Sequence, residues 1–514
     1  SGDTGQALPA RCVGHPSART LMHHHGLSEW AVVCFTVNVI MGSGFLDVPH
    51  AMMESGLLLG IVVLVVVTIL QWLAACMLAE VVARSHALLT KPDYHVSPAL
   101  QPLAKREYDS ASRENLGPWA QGLPLLDVPA ETSFEIMALC RLHLGRVMEG
   151  IIGFFVLLYL VGTLWSYADV FASALASSVP VMGINHERTC TVYLEPQDGG
   201  EPAVTTDPEC LALYYTWCGI FATSMSFLCV FELEEQVAFQ VFMTFVRVAV
   251  IAIMVGTLAL STNSEADFGL ERRSGPPVPL PLARPAGLAE MLPVAIFCQN
   301  VQIGVPALLQ PLAHTRSFSR VFGIALGLCL LMYLALGIAT ASFFGSETDP
   351  SCNLNWRRYQ LRWVALMIEL FPAIDTFTVF PLNAIFLANN LLSVILGEKW
   401  HAMQVPQWMR FTARLGCSIP PIVLAALFPS LSGTLDFTGI VAVILPFIVT
   451  PLLHRHSLLK CLRTWTYAQM EEAERNGGFR SVLSPPPRVL AFGVGGAMLL
   501  IACLTFQFTG AGAA

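Results

Sequence analysis

Two polar stretches interrupt an otherwise apolar chain, and their residue types are those that bind small solutes. The first is Asn38-Val39-Ile40-Met41-Gly42-Ser43-Gly44-Phe45-Leu46-Asp47-Val48-Pro49. Two glycines flank a serine, and an aspartate and a proline follow closely. Glycine and proline both weaken a helix interior. In hydrocarbon such a break is tolerated only where it faces protein or a water-filled cavity. Secondary transporters bind solute with the backbone groups freed at such breaks. A Gly-lined contact between two helices would use the same glycines.

The second stretch is Phe297-Cys298-Gln299-Asn300-Val301-Gln302-Ile303-Gly304-Val305-Pro306. Three amides, a glycine and a proline lie together in an apolar run. Buried amides are costly without partners, and interhelical hydrogen bonding explains one more readily than three beside a helix breaker. A pair of such breaks can recognise a zwitterion. A carboxylate would accept from N–H groups around Gly42, Ser43 and Gly44, at the positive end of a half-helix. An amino group would seek carbonyls near Cys298–Val301 and the amides of Gln299, Asn300 or Gln302. Tyr167 either closes this site from outside or simply packs in the core.

Intramembrane ionisable groups are the other candidates for function. Arg247 and Asp375 each fall near the middle of an apolar run, Asp47 and His50 follow the first break, and Asp169 lies deep in another run. Arg247 has three readings: a functional pair with Asp375, a stabilising pair with Asp169, or a side chain that snorkels to the interface.

These residues need membrane helices to hold them. The 514 residues are 54% hydrophobic and 12% charged, against about 25% charged in soluble proteins. Mean hydropathy is +0.61. The chain is therefore expected to be an all-α polytopic membrane protein. Apolar runs of about 20 residues predict eleven spans, at 29–53, 56–83, 147–173, 210–231, 236–260, 288–313, 319–344, 357–394, 408–428, 436–454 and 488–508. With the N-terminus inside, the inner segments hold 20 of the 28 Lys and Arg. The positive-inside rule then puts the N-terminus in the cytosol and the C-terminus on the extracellular or luminal side. Residues 1–28 lack the apolar core of a signal peptide and read as a cytosolic tail.

The interrupted spans are the first and the sixth, with four spans between them. That spacing predicts two five-helix inverted repeats, 29–260 and 288–454, joined by an outer linker at 261–287. A cytosolic linker, 455–487, leads to the last span and outer C-terminus, 488–514. Residues 85–130 read as a polar cytosolic loop. Residues 131–146 read as a surface amphipathic helix, with a capped start at Glu131-Thr132-Ser133 and Arg141 and Arg146 at the headgroups. The outer loop 185–209 carries Cys190, and a disulfide to Cys210 is expected there, with Cys352 as a rival partner. No zinc-ligand spacing, nucleophile–base set, filter loop or basic nucleic-acid patch is present, so a metal, a cofactor, an enzyme, a channel and a nucleic-acid partner are not expected.

The first stretch, with Gly56 and Gly60, resembles the first helix of the amino acid/auxin permease family, within the amino acid-polyamine-organocation superfamily. Phe297-Cys298-Gln299, Pro306 and Pro311 resemble that family's sixth helix, and Pro429-Ser430-Leu431, Gly439 and Leu445-Pro446 its tenth. A closer resemblance is to its transmembrane protein 104 branch, through Phe134-Glu135-Ile136, Tyr159-Leu160-Val161-Gly162 with Tyr167, Arg247, Phe371-Pro372, Phe380-Pro381 and Asn389-Asn390. The resemblance implies a LeuT-type 5+5 fold with broken helices 1 and 6, carrying amino acids or similar small solutes on an ion gradient. It also implies that Asn38 matches a sodium-linked asparagine and that Thr376 and Thr378 could supply sodium ligands. Arg247 departs from that pattern, because a fixed guanidinium would replace sodium electrostatically. An Arg247–Asp375 pair would favour proton over sodium coupling, through Asp375 or Asp47. The alternative is a transport-inactive scaffold, accessory subunit or solute sensor on the same fold.

Overall fold

A computed structural model describes residues 27–90, 126, 128, 134–179, 192–194, 203–204, 207–228, 237–261, 267–268, 280–312, 315–397, 405–429 and 431–510. The fold is almost wholly helical; a two-residue hairpin, Tyr193–Leu194 against Ala203–Val204, is the exception among the described residues. Eight described helices are long and apolar enough to cross a membrane. Leu58, Val62, Val66 and Ile69 are about half exposed. An apolar stripe that faces outward suits hydrocarbon, not water.

Three of the eleven expected spans fall outside those eight, for physical reasons. Spans 1 and 6 are each cut into short pieces. The ninth, Gln407–Leu427, carries Arg410, Arg414 and an internal Pro420–Pro421 pair.

The first span enters as α1 (Glu29–Ile40), capped by the Ser28 side chain, which accepts from the Ala31 N–H at 3.2 Å. It stops at the glycine pair. One 3₁₀ turn follows, Ser43–Leu46, then α2 (Val48–Ser55), with Pro49 in its first turn, where no N–H is needed. Gly56 turns the chain at φ +86° into α3 (Leu57–Thr90). A Cβ there would also lie 2.7 Å from the Pro281 carbonyl oxygen. The linker before the sixth span is stitched to this corner, Arg284 N to Ser55 O at 2.7 Å and Leu58 N to Leu282 O at 3.0 Å.

The chain continues through α4 (Ile136–Leu144), α5 (Arg146–Ser178), α6 (Pro208–Leu228) and α7 (Val237–Leu260). The sixth span is α8 (Leu288–Cys298), an irregular segment, and α9 (Val305–Leu309). Then come α10 (Phe318–Phe344), α11 (Arg362–Leu396), α12 (Gln407–Leu427), α13 (Leu431–Ala442), a π turn at Leu445–Val449, α14 (Thr450–Cys461), α15 (Tyr467–Gly477) and α16 (Pro486–Gly510). Helix α5 packs along α11, α1 lies against α7 and α10, and α8 lies against α13 and α2. The first span is thereby held by the unbroken α7 and α10, and the sixth packs back on the first through α2.

The basic end differs most from the sequence reading. Helix α3 continues seven residues past the expected end of the second span, to Thr90. Its polar groups find buried partners. Glu80 accepts from His454 Nε2 at 2.6 Å, Arg84 Nη2 at 3.0 Å, and Ser481 N and Ser484 Oγ at 2.7 Å each. Arg84 Nε donates to Glu474 of α15 at 2.8 Å. Burial raises the Glu474 carboxyl above its ordinary range, and Arg84 opposes that shift.

The expected surface helix at 131–146 is shorter and is not on the surface. Glu131, Thr132 and Ser133 lie outside the described residues. Helix α4 begins after Glu135, with no side-chain cap, and buries Ile136, Met137, Leu139, Cys140 and His143. Arg141 pairs with Glu149 at 2.7 Å instead of meeting headgroups, whereas Arg146 is exposed. Burial, with Lys460 and Arg84 nearby, holds the His143 imidazole down to about 3, so it is neutral. Cys352 is a free buried thiol, which removes it as the rival disulfide partner. Cys190 lies outside the described residues.

Candidate functional site

The two breaks meet at the centre of the fold. A Cβ on Gly44 would lie 2.6 Å from Cys298 Sγ and 2.8 Å from Phe297 Cδ1. On Gly42 it would overlap the Tyr167 hydroxyl and ring. Ser43 Oγ lies 3.0 Å from Ser166 Oγ. Helix α5 is thus pressed against the first break through two consecutive residues. Overpacking a tight core costs about 1–3 kcal/mol. Gly44→Ala is expected to lose about that much in thermal unfolding, whereas Gly150→Ala, with nothing within 4 Å of its Cβ, is expected to lose none. Equal stability of the two variants would refute the tight junction.

A cavity of about 10 Å3 lies at this junction, lined by Ile40, Tyr159, Thr163, Tyr167, Phe297, Asn300, Asn383 and Phe386 among others. That volume holds about one water. Tyr167, Phe297 and Asn300, named from the sequence, line it. Gly42, Ser43, Gly44, Gln299 and Gln302 do not. Gln299 accepts from Thr68 Oγ1 and donates to Leu64 O at 3.3 Å; Gln302 donates to Gln71 O at 3.0 Å and Gln71 Oε1 at 3.1 Å. Both amides brace the second break against α3, whose Leu64, Thr68 and Gln71 stand within hydrogen-bond reach. Asn300 donates to Ala442 O at 3.4 Å and accepts from Gln302 N at 3.2 Å, which shapes the irregular segment. Tyr333 caps the end of α8, its hydroxyl donating to Cys298 O at 2.8 Å.

Beside the cavity sits a buried charge centre. Arg247 and Asp375 are both fully buried and directly paired. Arg247 donates to Asp375 Oδ1 through Nε, at 2.9 Å, and through Nη2; Nη1 donates to Asn38 Oδ1 at 2.5 Å. Asn38 donates to Gln240 O at 2.7 Å and Gln240 Oε1 at 2.8 Å, and accepts from Thr244 at 3.1 Å. Gln240 donates to Thr378 O at 3.3 Å. The network ties α1, α7 and α11 together. Asp375 Oδ2 is buried with no hydrogen-bond partner.

Asp169 is not the partner of Arg247; it accepts from the Tyr214 hydroxyl at 2.7 Å. Thr376 and Thr378 turn their hydroxyls onto their own helix, to Pro372 O and Asp375 O at 2.8 Å each. A hydroxyl oxygen still has a second lone pair, but neither is gathered around Asn38 Oδ1, where a guanidinium stands. Asp47 lies apart from the charge centre. Asp47, His50 and Glu290 bring one donor atom each within 4.8 Å of one another, a set able to hold a divalent cation that the sequence reading did not foresee. His50 Nδ1 and Glu290 Oε1 are 2.7 Å apart.

Gln240, Thr244, Thr163, Asn383 and Tyr333 were not singled out from the sequence, and Tyr159 was named only for the family resemblance. Gln240, Thr244 and Arg247 stand at i, i+4 and i+7, one face of a helix, and that polar stripe was readable. The role of Tyr333 was not, because its partner is a backbone carbonyl far along the chain.

Known proteins place the chain. The mouse protein named transmembrane protein 104 is 24% identical over 429 residues, covering 80% of this chain and 84% of that protein. A Dictyostelium discoideum homolog of it is 20% identical over 455 residues, covering 80% and 85%. A crystal structure of an Eremococcus coleocola manganese transporter with an aromatic bis-isothiourea substituted compound superposes at a TM-score of 0.47 and 12% identity, covering 98% and 96%. That likeness is too loose to bear on the site. The family described as transmembrane amino acid transporter protein matches residues 128–466. With well over half of its length inside that match, the chain is an integral membrane protein of the transmembrane amino acid transporter family.

Proposed function

We propose that the protein is a secondary carrier of amino acids or similar small solutes. It works by alternating access on a LeuT-type 5+5 repeat of eleven spans, with a cytosolic N-terminus. The observation that carries this reading is the meeting of the two helix breaks, Gly44 against Cys298 and Phe297, beside a buried cavity lined from the first span by Val39 and Ile40 and from the sixth by Asn300 and Gly304. The solute carboxylate docks at Gly42–Gly44 once Tyr167 moves off Gly42, and Asn300 with the end of α8 takes the amino group. Proton coupling is favoured over sodium coupling. Arg247 holds a permanent positive charge against Asn38, and the unpartnered Asp375 Oδ2 is the oxygen positioned to take a proton. A Cys190–Cys210 disulfide belongs to the same proposal.

A second reading, a transport-inactive sensor or scaffold, is favoured by one observation. Tyr159, Tyr167, Phe297 and Phe386 leave room for about one water only. The carrier reading takes this as an occluded conformer. Purified protein in liposomes, given a panel of radiolabelled amino acids under a proton or a sodium gradient, separates the two. Uptake driven by the proton gradient alone is expected. Sodium-driven uptake would refute the coupling assignment, and binding without uptake would establish the sensor.

A further inference from the structure

Helix α4 sits where the inner mouth of the cavity should be. Asn383 and Phe386 of α11 line the cavity. Asn389 and Asn390, one turn further toward the basic end, donate to Glu135 Oε1 at 3.3 Å and Oε2 at 3.4 Å. Four residues of helix span about 6 Å. On the adjoining wall, Tyr159 of α5 lines the cavity, and Gly153, further toward the basic end, faces Met137; a Cβ on Gly153 would lie 3.3 Å from Met137 Sδ. Both walls of the cavity therefore continue directly onto α4.

The seat is specific and polar at its rim. Ser85 Oγ lies 2.7 Å from His143 Nε2, Lys460 Nζ donates to Leu142 O, and Arg141 bonds Glu149 at 2.7 Å. Arg141 also lies against Gly397, at the end of α11, where a cation suits the helix dipole. These ties reach α3, α5, α11 and α14. One short helix thus closes against the ends of α3, α5, α11 and α14, with Ile136, Leu139 and Cys140 fully buried. The connection to α5 is a single Gly145 at φ +87°, a backbone state that lets the helix turn sharply there.

We propose that Phe134–Leu144 is the inner plug of the transport path, and that its departure from this seat opens the cavity toward the basic, cytosolic end. This rests on the carrier reading above.

Hydrogen–deuterium exchange on the full-length protein in nanodiscs tests it without a solute. Ile136→Asp puts a charge on a fully buried plug residue. Exchange is expected to rise at least tenfold in 134–144 and in the cavity segments 299–304 and 383–390, and to stay unchanged at 352–356. Faster exchange of 134–144 alone would overturn the proposal, because the helix would then pack there without sealing anything. Should Ile136→Asp loosen the whole protein, the milder Glu135→Gln decides. A smaller rise in the same three segments is expected, and no change in any of them overturns the plug. In liposomes, an oxidised Met137→Cys/Gly153→Cys pair is expected to cut uptake at least tenfold, reversibly with reductant. Equal uptake by the oxidised and reduced protein overturns the plug. Should the wild-type protein take up nothing, the carrier reading falls, and the exchange arms still judge whether the segment seals the cavity.

Discussion

Replacing Arg247 by Met is expected to cost about 3–5 kcal/mol of stability, because it leaves Asp375 buried without its cation. Both side chains are inaccessible, so water cannot restore the lost solvation. Asp375 Oδ2 already lacks a partner, so the carboxylate has no second source of compensation. The double variant Arg247→Met/Asp375→Asn is expected to regain most of the loss, since a neutral pair needs no counter-charge. Thermal unfolding in detergent measures both. The functional consequence is separable. With the guanidinium gone and Asp375 retained, the site beside Asn38 is open to a mobile cation, so uptake should either cease or become sodium-dependent. Uptake with unchanged rate and unchanged ion dependence would sink the idea that Arg247 stands in for the coupling ion.

Arg84→Leu is the second large effect, at the basic end of the molecule. The guanidinium serves two carboxylates, Glu80 and Glu474, and is 1% exposed. Glu80 keeps His454, Ser481 and Ser484, but Glu474 loses its charge partner. A loss of about 3–5 kcal/mol is again expected. Helix α15 should detach first, so limited proteolysis between residues 462 and 485 should accelerate before the membrane helices unfold. Glu474→Gln should cost less, since burial already disfavours the Glu474 charge and Arg84 keeps Glu80. Unaltered proteolysis in Arg84→Leu would mean that the buried pair is not what fastens α15.

Much of the architecture was legible because hydrocarbon imposes simple rules on sequence. Apolar runs marked the long helices, and glycine beside proline marked where they break. Side-chain direction was less legible. Gln299, Asn300 and Gln302 look alike in the sequence, yet only Asn300 faces the cavity. In an irregular segment no fixed periodicity says where a residue points, and the choice falls to whichever neighbour offers a hydrogen-bond partner. The same held for α4. Its spacing is amphipathic, but a membrane surface and a protein seat bury an apolar face equally well.

The sequence by itself determined that this is a polytopic membrane protein with two interrupted helices, and that Arg247 and Asp375 need compensation. Only the tertiary structure decided that they compensate each other, that Asp169 belongs to Tyr214, and that α4 is buried between four helix ends. Burying a charge or an apolar face is an obligation that composition reveals. Which partner meets that obligation depends on distances between residues far apart in the chain, and those exist only once the helices have packed.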